Sequence, residues 1–141
     1  MSGAIGYVEY AFAKQNNLSH ALLANRDGAF VAPDAESFQA AAANADWANA
    51  PGYYIILTDQ PGAGTWPITA ATFILLPARA ERPDRASQVL RFFDWAYAQG
   101  DAHAEALHYV PLPDPVVERV EQTWAPTTGP AGRPLQHSAS E

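Results

Sequence analysis

Four histidines, His20, His103, His108 and His137, are the side chains of this sequence best suited to proton transfer or metal ligation near neutral pH. His103 and His108 stand five residues apart, whereas two imidazoles share one helix face at a spacing of four, and no HExxH pattern occurs. That spacing points to structural histidines, and no metal site is nominated. Ser19-His20 has no aspartate placed to complete a triad, and there is no G-x-S-x-G elbow. Gly62-Ala63-Gly64 resembles half of a phosphate-cradling loop. It lacks the trailing Lys-Ser/Thr, however, and it leads into a strand-like run where the motif requires a helix N-terminus. A connector is the better reading. Arg79, Arg82 and Arg85 form the only basic cluster, and Glu81 and Asp84 interleave with them, as in a solvated linker. Glu9, Asp34, Asp94, Glu105 and Glu118 fall on predicted caps or polar faces. Without cysteine, thiolate metal sites, thiol catalysis and disulfides are excluded. The residues alone therefore predict no catalytic group, no cofactor and no enzyme.

The elements that would position any such group are organised around residues 65–77. This run follows Gly62 and Gly64, passes Pro67, and continues as Ile68-Thr69-Ala70-Ala71-Thr72-Phe73-Ile74-Leu75-Leu76 to Pro77. A short apolar run bounded by prolines predicts a strand buried on both faces. Upstream, residues 3–7 predict a short strand and residues 8–16 a helix with Val8, Ala11 and Phe12 at helical spacing, stopped at Asn16-Asn17. Asn25-Arg26-Asp27-Gly28 between two apolar runs predicts a hairpin, because the turn needs residues that tolerate positive φ. Asp34 is the expected N-cap of an alanine-rich helix with Phe38 and Ala42 inward. Residues 53–57 have strand propensity but are isolated by Pro51-Gly52.

Downstream every strong signal is helical. Asp84 is the expected cap of a helix with Ala86, Val89, Leu90, Phe93, Ala96 and Tyr97 on one face, stopped at Gly100. Phe92 and Trp95 lie off that stripe and suit a second packing face. A short helix is expected over residues 102–107. Asp114-Pro115 opens a last helix, with Asp114 as cap and Val116, Val117, Val120 and Trp124 as its stripe. Residues 127–141 predict a flexible tail.

The chain has 141 residues, 48% hydrophobic and 16% charged, which suits one globular unit. Its net charge is −7 with a single lysine, so the electrostatic footprint for nucleic acid or an anionic membrane is missing. The start at Met1-Ser2 has no basic and apolar lead-in, so no signal peptide is expected in this chain.

Several stretches, in order, resemble one family. They are Gly3-Ala4-Ile5-Gly6-Tyr7-Val8-Glu9-Tyr10-Ala11 with Lys14-Gln15-Asn16-Asn17-Leu18; Ala45-Asp46-Trp47; Trp66-Pro67-Ile68-Thr69 with Thr72-Phe73-Ile74-Leu75; Phe92-Phe93-Asp94-Trp95-Ala96-Tyr97; Leu112-Pro113-Asp114 with Val116-Val117-Glu118 and Trp124; and Gly132-Arg133-Pro134-Leu135. Together they are similar to the phosphate-binding proteins that serve the bacterial high-affinity phosphate ABC transporter. The resemblance implies an α/β chain forming the C-terminal part of a two-lobed type II periplasmic binding protein fold. Residues 1–65 would be part of the second lobe, 66–77 the hinge or crossover strand, and 78–126 helices completing the first lobe. Trp66, Pro67, Thr69 and Thr72 would be hinge residues. The implied partners are inorganic phosphate and the ABC permease subunits, and the implied location of the intact protein is periplasmic. The family's phosphate ligands lie upstream of Gly3, and no Ser-Gly-Thr segment occurs here. No ligand-binding residue is therefore carried onto this sequence. The alternative is an interaction or scaffold module derived from the same fold without its ligand.

Overall fold

Gly28 supplies the conformation that the first turn demands. In the computed structural model, which describes residues 3–124, 126–129 and 135, Gly28 sits at φ 80°. Its N–H donates to the Asn25 carbonyl at 2.9 Å. The turn joins β1 (Leu23–Ala24) to β2 (Phe30–Val31) in antiparallel register, Leu23 opposite Val31 and Ala24 opposite Phe30. The hairpin expected at Asp27-Gly28 is thus present, with two-residue strands.

α1 (Tyr10–Gln15) precedes it and ends at Asn16, whose Nδ2 donates to the Phe12 carbonyl at 2.9 Å. α2 (Ala35–Ala43) follows it. As expected, Asp34 caps α2. Its carboxylate accepts the Ser37 N–H at 2.8 Å while Ser37 Oγ accepts the Asp34 N–H at 3.1 Å. This reciprocal box occupies two amides that would otherwise lack partners. Phe38 is half-buried and meets Tyr10 and Trp66 edge-on, with ring centroids 5.0 and 6.2 Å away. Two single 3-10 turns, Trp47–Asn49 and Pro51–Tyr53, come next.

The helical half consists of α3 (Pro83–Gln99), α4 (Asp101–Ala106) and α5 (Asp114–Trp124). Asp84 is not the cap of α3. Arg82 holds that position, Pro83 begins the helix, and Asp84 lies in the first turn, where its charge still complements the helix dipole. Gly100 ends α3 as expected. Its N–H donates to the Ala96 carbonyl at 2.8 Å, and an added Cβ would strike that same carbonyl. α5 starts at Asp114 itself, one residue earlier than a cap at that position would give.

Two apolar clusters hold these elements. The first gathers Ala42, Ala45, Trp47, Leu57 and Val116, with Tyr53, Ile55, Ala71 and Leu112 against it. The second gathers Ala80, Leu90, Trp124 and Leu135, with Leu76, Ala86, Phe93, Tyr97 and Val120. α5 belongs to both, through Val116 at one end and Trp124 at the other. It packs on α2 and on α3.

Three expectations need correction. Residues 65–77 are not a strand buried on both faces. Ile68 forms one antiparallel bridge with Thr58, and residues 69–77 enter no ladder. Phe73, Ile74 and Leu75 face solvent, Leu75 at 93% exposure. Residues 3–7 likewise lack a partner strand among the described residues, with Ile5 99% and Tyr7 94% exposed. The physical reason is common to both. A helix satisfies its own backbone, whereas a strand needs a neighbour, and among the described residues neither 3–7 nor 69–77 has one. Third, the expected tail is partly held. Thr128 pairs in parallel with Arg79, Ala80 N–H donates to the Thr128 carbonyl at 2.8 Å, and Leu135 is buried in the second cluster. Residues 130–134 and 136–141 of that tail lie outside the described residues. Among the described residues the chain is helix-rich with one small sheet.

Candidate functional site

The best-organised polar centre joins the hairpin turn to the glycine loop. Asn25, nearly buried, donates from Nδ2 to the carbonyls of Gly62 (3.1 Å), Ala63 (2.9 Å) and Thr65 (3.2 Å). Its Oδ1 accepts the N–H groups of Asp27 (3.1 Å) and Ala29 (3.0 Å). Asp27 Oδ2 accepts the Gly62 N–H at 2.9 Å. Thr65, fully buried, donates from Oγ1 to the carbonyls of Gln60 and Gly62. Gly62 holds φ at 118°, and a Cβ there would lie 2.5 Å from Asn44 Nδ2.

This geometry decides between the two readings of Gly62-Ala63-Gly64. A phosphate cradle points N–H groups at the anion. Here the loop turns three carbonyls inward to one side-chain amide, and the Gly62 N–H is already donated to a carboxylate. The loop is a structural connector. The N-terminus of α2 is similarly occupied by its own capping box. Among the described residues, no buried side-chain polar atom lacks a hydrogen-bond partner.

The other candidates do not converge. His20 and His103 are exposed, and the His103 ring lies 6.1 Å from that of Trp95. His108 is half-buried at φ 63°, and His137 lies outside the described residues. Among the described residues, no three His, Asp or Glu side chains gather closely enough to hold a metal ion. Arg82 and Arg85 are exposed at the start of α3. Arg85 borders a shallow open groove with Gln88, Val89, Phe92 and Phe93. Phe92 is exposed, so the outer aromatics of α3 do not form a second packed face within this chain.

Of the four hinge candidates, Trp66 and Thr69 are buried, Pro67 is half-buried and Thr72 is exposed. Trp66 N–H donates to the Ser37 carbonyl at 3.1 Å, and Thr69 Oγ1 donates to the Trp66 carbonyl at 3.0 Å. The Pro67 carbonyl accepts the Asp59 N–H at 2.9 Å. The beginning of the segment is anchored, and the run from Thr72 is open.

Two tyrosines have raised pKa values. Tyr109, exposed, is held in its protonated form by a hydrogen bond to Glu9 and that carboxylate's charge. Tyr97 stacks on Trp124 with centroids 5.9 Å apart. Burial raises its pKa first, and the charge of Glu121 adds to it. Because the folded chain holds the Tyr97 proton more tightly than the unfolded chain, this contribution to stability is intact below the ordinary tyrosine pKa of about 10 and lost as pH rises through the folded value. Urea unfolding from pH 8 to 11 is therefore expected to show an alkaline loss that Tyr97→Phe reduces. An identical alkaline loss in the variant would assign it elsewhere.

Asn25 is the organising residue of this centre that sequence reasoning missed, since its role as a turn former was visible and its bonds to residues 62–65 were not. No helix among the described residues is long and apolar enough to cross a membrane.

No family model matches the chain. Individual proteins do match it. Phosphate-binding protein PstS of Pasteurella multocida is 54% identical over 121 residues, which cover 86% of this chain and 35% of the relative. The protein of the same name from Haemophilus influenzae is 48% identical over 124 residues, 88% of this chain and 37% of the relative. That of Methanocaldococcus jannaschii is 31% identical over 126 residues, 81% of this chain and 32% of the relative. These matches bear out the resemblance read from the residues, and the relatives are named as binding proteins. The chain spans about a third of the length of the curated relatives it matches. By sequence it is therefore a relative, over that third, of the phosphate-binding proteins named PstS.

Proposed function

We propose that the chain is the C-terminal portion of a phosphate-binding protein of a phosphate ABC import system, and that it supplies scaffold while the phosphate ligands lie in the other two thirds. The observation that carries this reading is the match of 54% identity over 86% of the chain to only 35% of a phosphate-binding protein. In support, the glycine loop turns its carbonyls to Asn25, and the N-terminus of α2 is filled by its own capping box. In this reading the intact protein is periplasmic, two-lobed and not an enzyme. Residues 1–65 form part of its second lobe, 66–77 cross between lobes, and 78–126 complete the first, with α5 at their junction. Its partners are inorganic phosphate and the permease subunits. A closing clamp of this kind holds a dehydrated anion with N–H groups and hydroxyls, so a net charge of −7 is compatible with an anionic ligand.

Calorimetry tests the assignment in two steps. Inorganic phosphate added to the chain alone should give no binding heat, and micromolar or tighter binding would overturn the claim that the ligands lie elsewhere. Co-expressed with the N-terminal two thirds of the Pasteurella relative, the chain should yield a complex that binds phosphate. A folded complex with no phosphate affinity would favour the scaffold module without a ligand.

A further inference from the structure

A strongly apolar stretch of the sequence is also among the most open parts of the structure. Residues 71–77 form neither helix nor ladder and run from the first cluster, where Ala71 packs, to the second, where Leu76 packs. Between those anchors the successive residues Phe73, Ile74 and Leu75 are exposed, and in a strand they would present apolar side chains on both faces. Within the described residues, no backbone hydrogen bond is made by 71–77 or by 3–8. Ile5, Tyr7 and Val8 are exposed in the second run. A segment apolar on both faces reaches its stable state only with strands on its edges and layers over its faces.

We infer that residues 71–77 and 3–8 are docking strands for a separate or preceding polypeptide carrying the remaining two thirds of a PstS-type fold, which adds its own strands to both runs. The inference rests on the function proposed above for the identity of that partner. The chain matches 35% of the Pasteurella relative, so the other strands of the fold belong to the remainder. A second copy of this chain fits less well. Pairing two copies edge to edge would cover one edge and neither face of 71–77, and each copy carries a net charge of −7. Main-chain pairing supplies the affinity in strand addition, and the alternating side chains set the register. Leu75 is therefore the residue whose charge or backbone most affects docking and least affects the chain's own packing.

Amide hydrogen exchange of the full chain, alone and with the N-terminal two thirds of the Pasteurella relative, provides the test. Alone, amides 3–8 and 71–77 should exchange at the rates of an unstructured peptide, and slow exchange there would overturn the inference before any mixing. Co-expressed or co-refolded, the two chains should co-purify one to one, with both runs becoming protected. Leu75→Asp should leave the circular dichroism of the free chain unchanged and reduce co-purification at least tenfold. Absence of a complex, a complex without protection of 71–77, or protection arising in a homodimer overturns the inference. A protected complex that ignores inorganic phosphate leaves the docking strands standing and removes the phosphate function. Phosphate binding without protection of 71–77 does the reverse.

Discussion

Replacing Asn25 with alanine is expected to lower the stability of the chain by about 3 kcal/mol. The side chain makes bonds to three carbonyls and two N–H groups in a site that is mostly closed to water. Removing it leaves those five groups to be satisfied by whatever water can enter, and each buried group left unmet costs about 1–3 kcal/mol. Only the bond to Thr65 is fully buried, so water reaches most of these groups and the total stays below that sum. Asn25→Asp separates the two sets of bonds. A carboxylate can still accept from Asp27 and Ala29 but cannot donate to the carbonyls of Gly62, Ala63 and Thr65, and its charge faces all three oxygens. Its folded pKa must rise above the ordinary aspartate value of about 3.9. The stability it retains is then complete below that value and lost as pH rises through the folded pKa. Urea midpoints should be low for both variants at pH 7, and only Asn25→Asp should recover toward pH 4. A midpoint for Asn25→Ala within about 0.5 kcal/mol of the parent would show that the glycine loop is held by something else.

The second large effect is expected at Trp124. Its indole is buried, stacks nearly parallel on Tyr97 at 5.9 Å, and belongs to the cluster built on Leu90 and Ala80. Trp124→Ala should cost about 3–5 kcal/mol, the usual range for emptying a packed aromatic site. The loss should also be local. Trp47 anchors the other cluster, donating from Nε1 to the Ala42 carbonyl at 2.7 Å, and none of its buried partners is shared with Trp124. Amides of α3 and of the last turns of α5 should lose exchange protection while those of α2 keep theirs. Equal loss across the chain would mean that the two clusters melt as one unit.

The helices were legible from sequence because their determinants are local. The stripe Ala86, Val89, Leu90, Phe93, Ala96 and Tyr97 announces α3 by spacing alone, although only Leu90 of these is fully buried. The Asp34 cap and the Asp27-Gly28 turn are also decided within a few residues. Residues 3–7 and 65–77 have the composition of strands, but composition cannot supply the neighbour that makes a strand. The knot at Asn25 was invisible for a related reason. Its acceptors lie 37 to 40 residues away, and no periodicity marks a side chain that bonds at that range. The glycine loop fared as its context suggested, with its carbonyls turned inward to Asn25.

The double membership of α5 has a consequence for the order of events at the ribosome. The first cluster needs Val116 to close over Ala42, Trp47 and Leu57, and the second needs Trp124 and Leu135 to close over Ala80 and Leu90. Residues 42–71 of the first cluster can meet early, but neither cluster is closed until α5 has been made. Contacts this distant in sequence are slow to form, and their unsealed surfaces are the ones that chaperones bind.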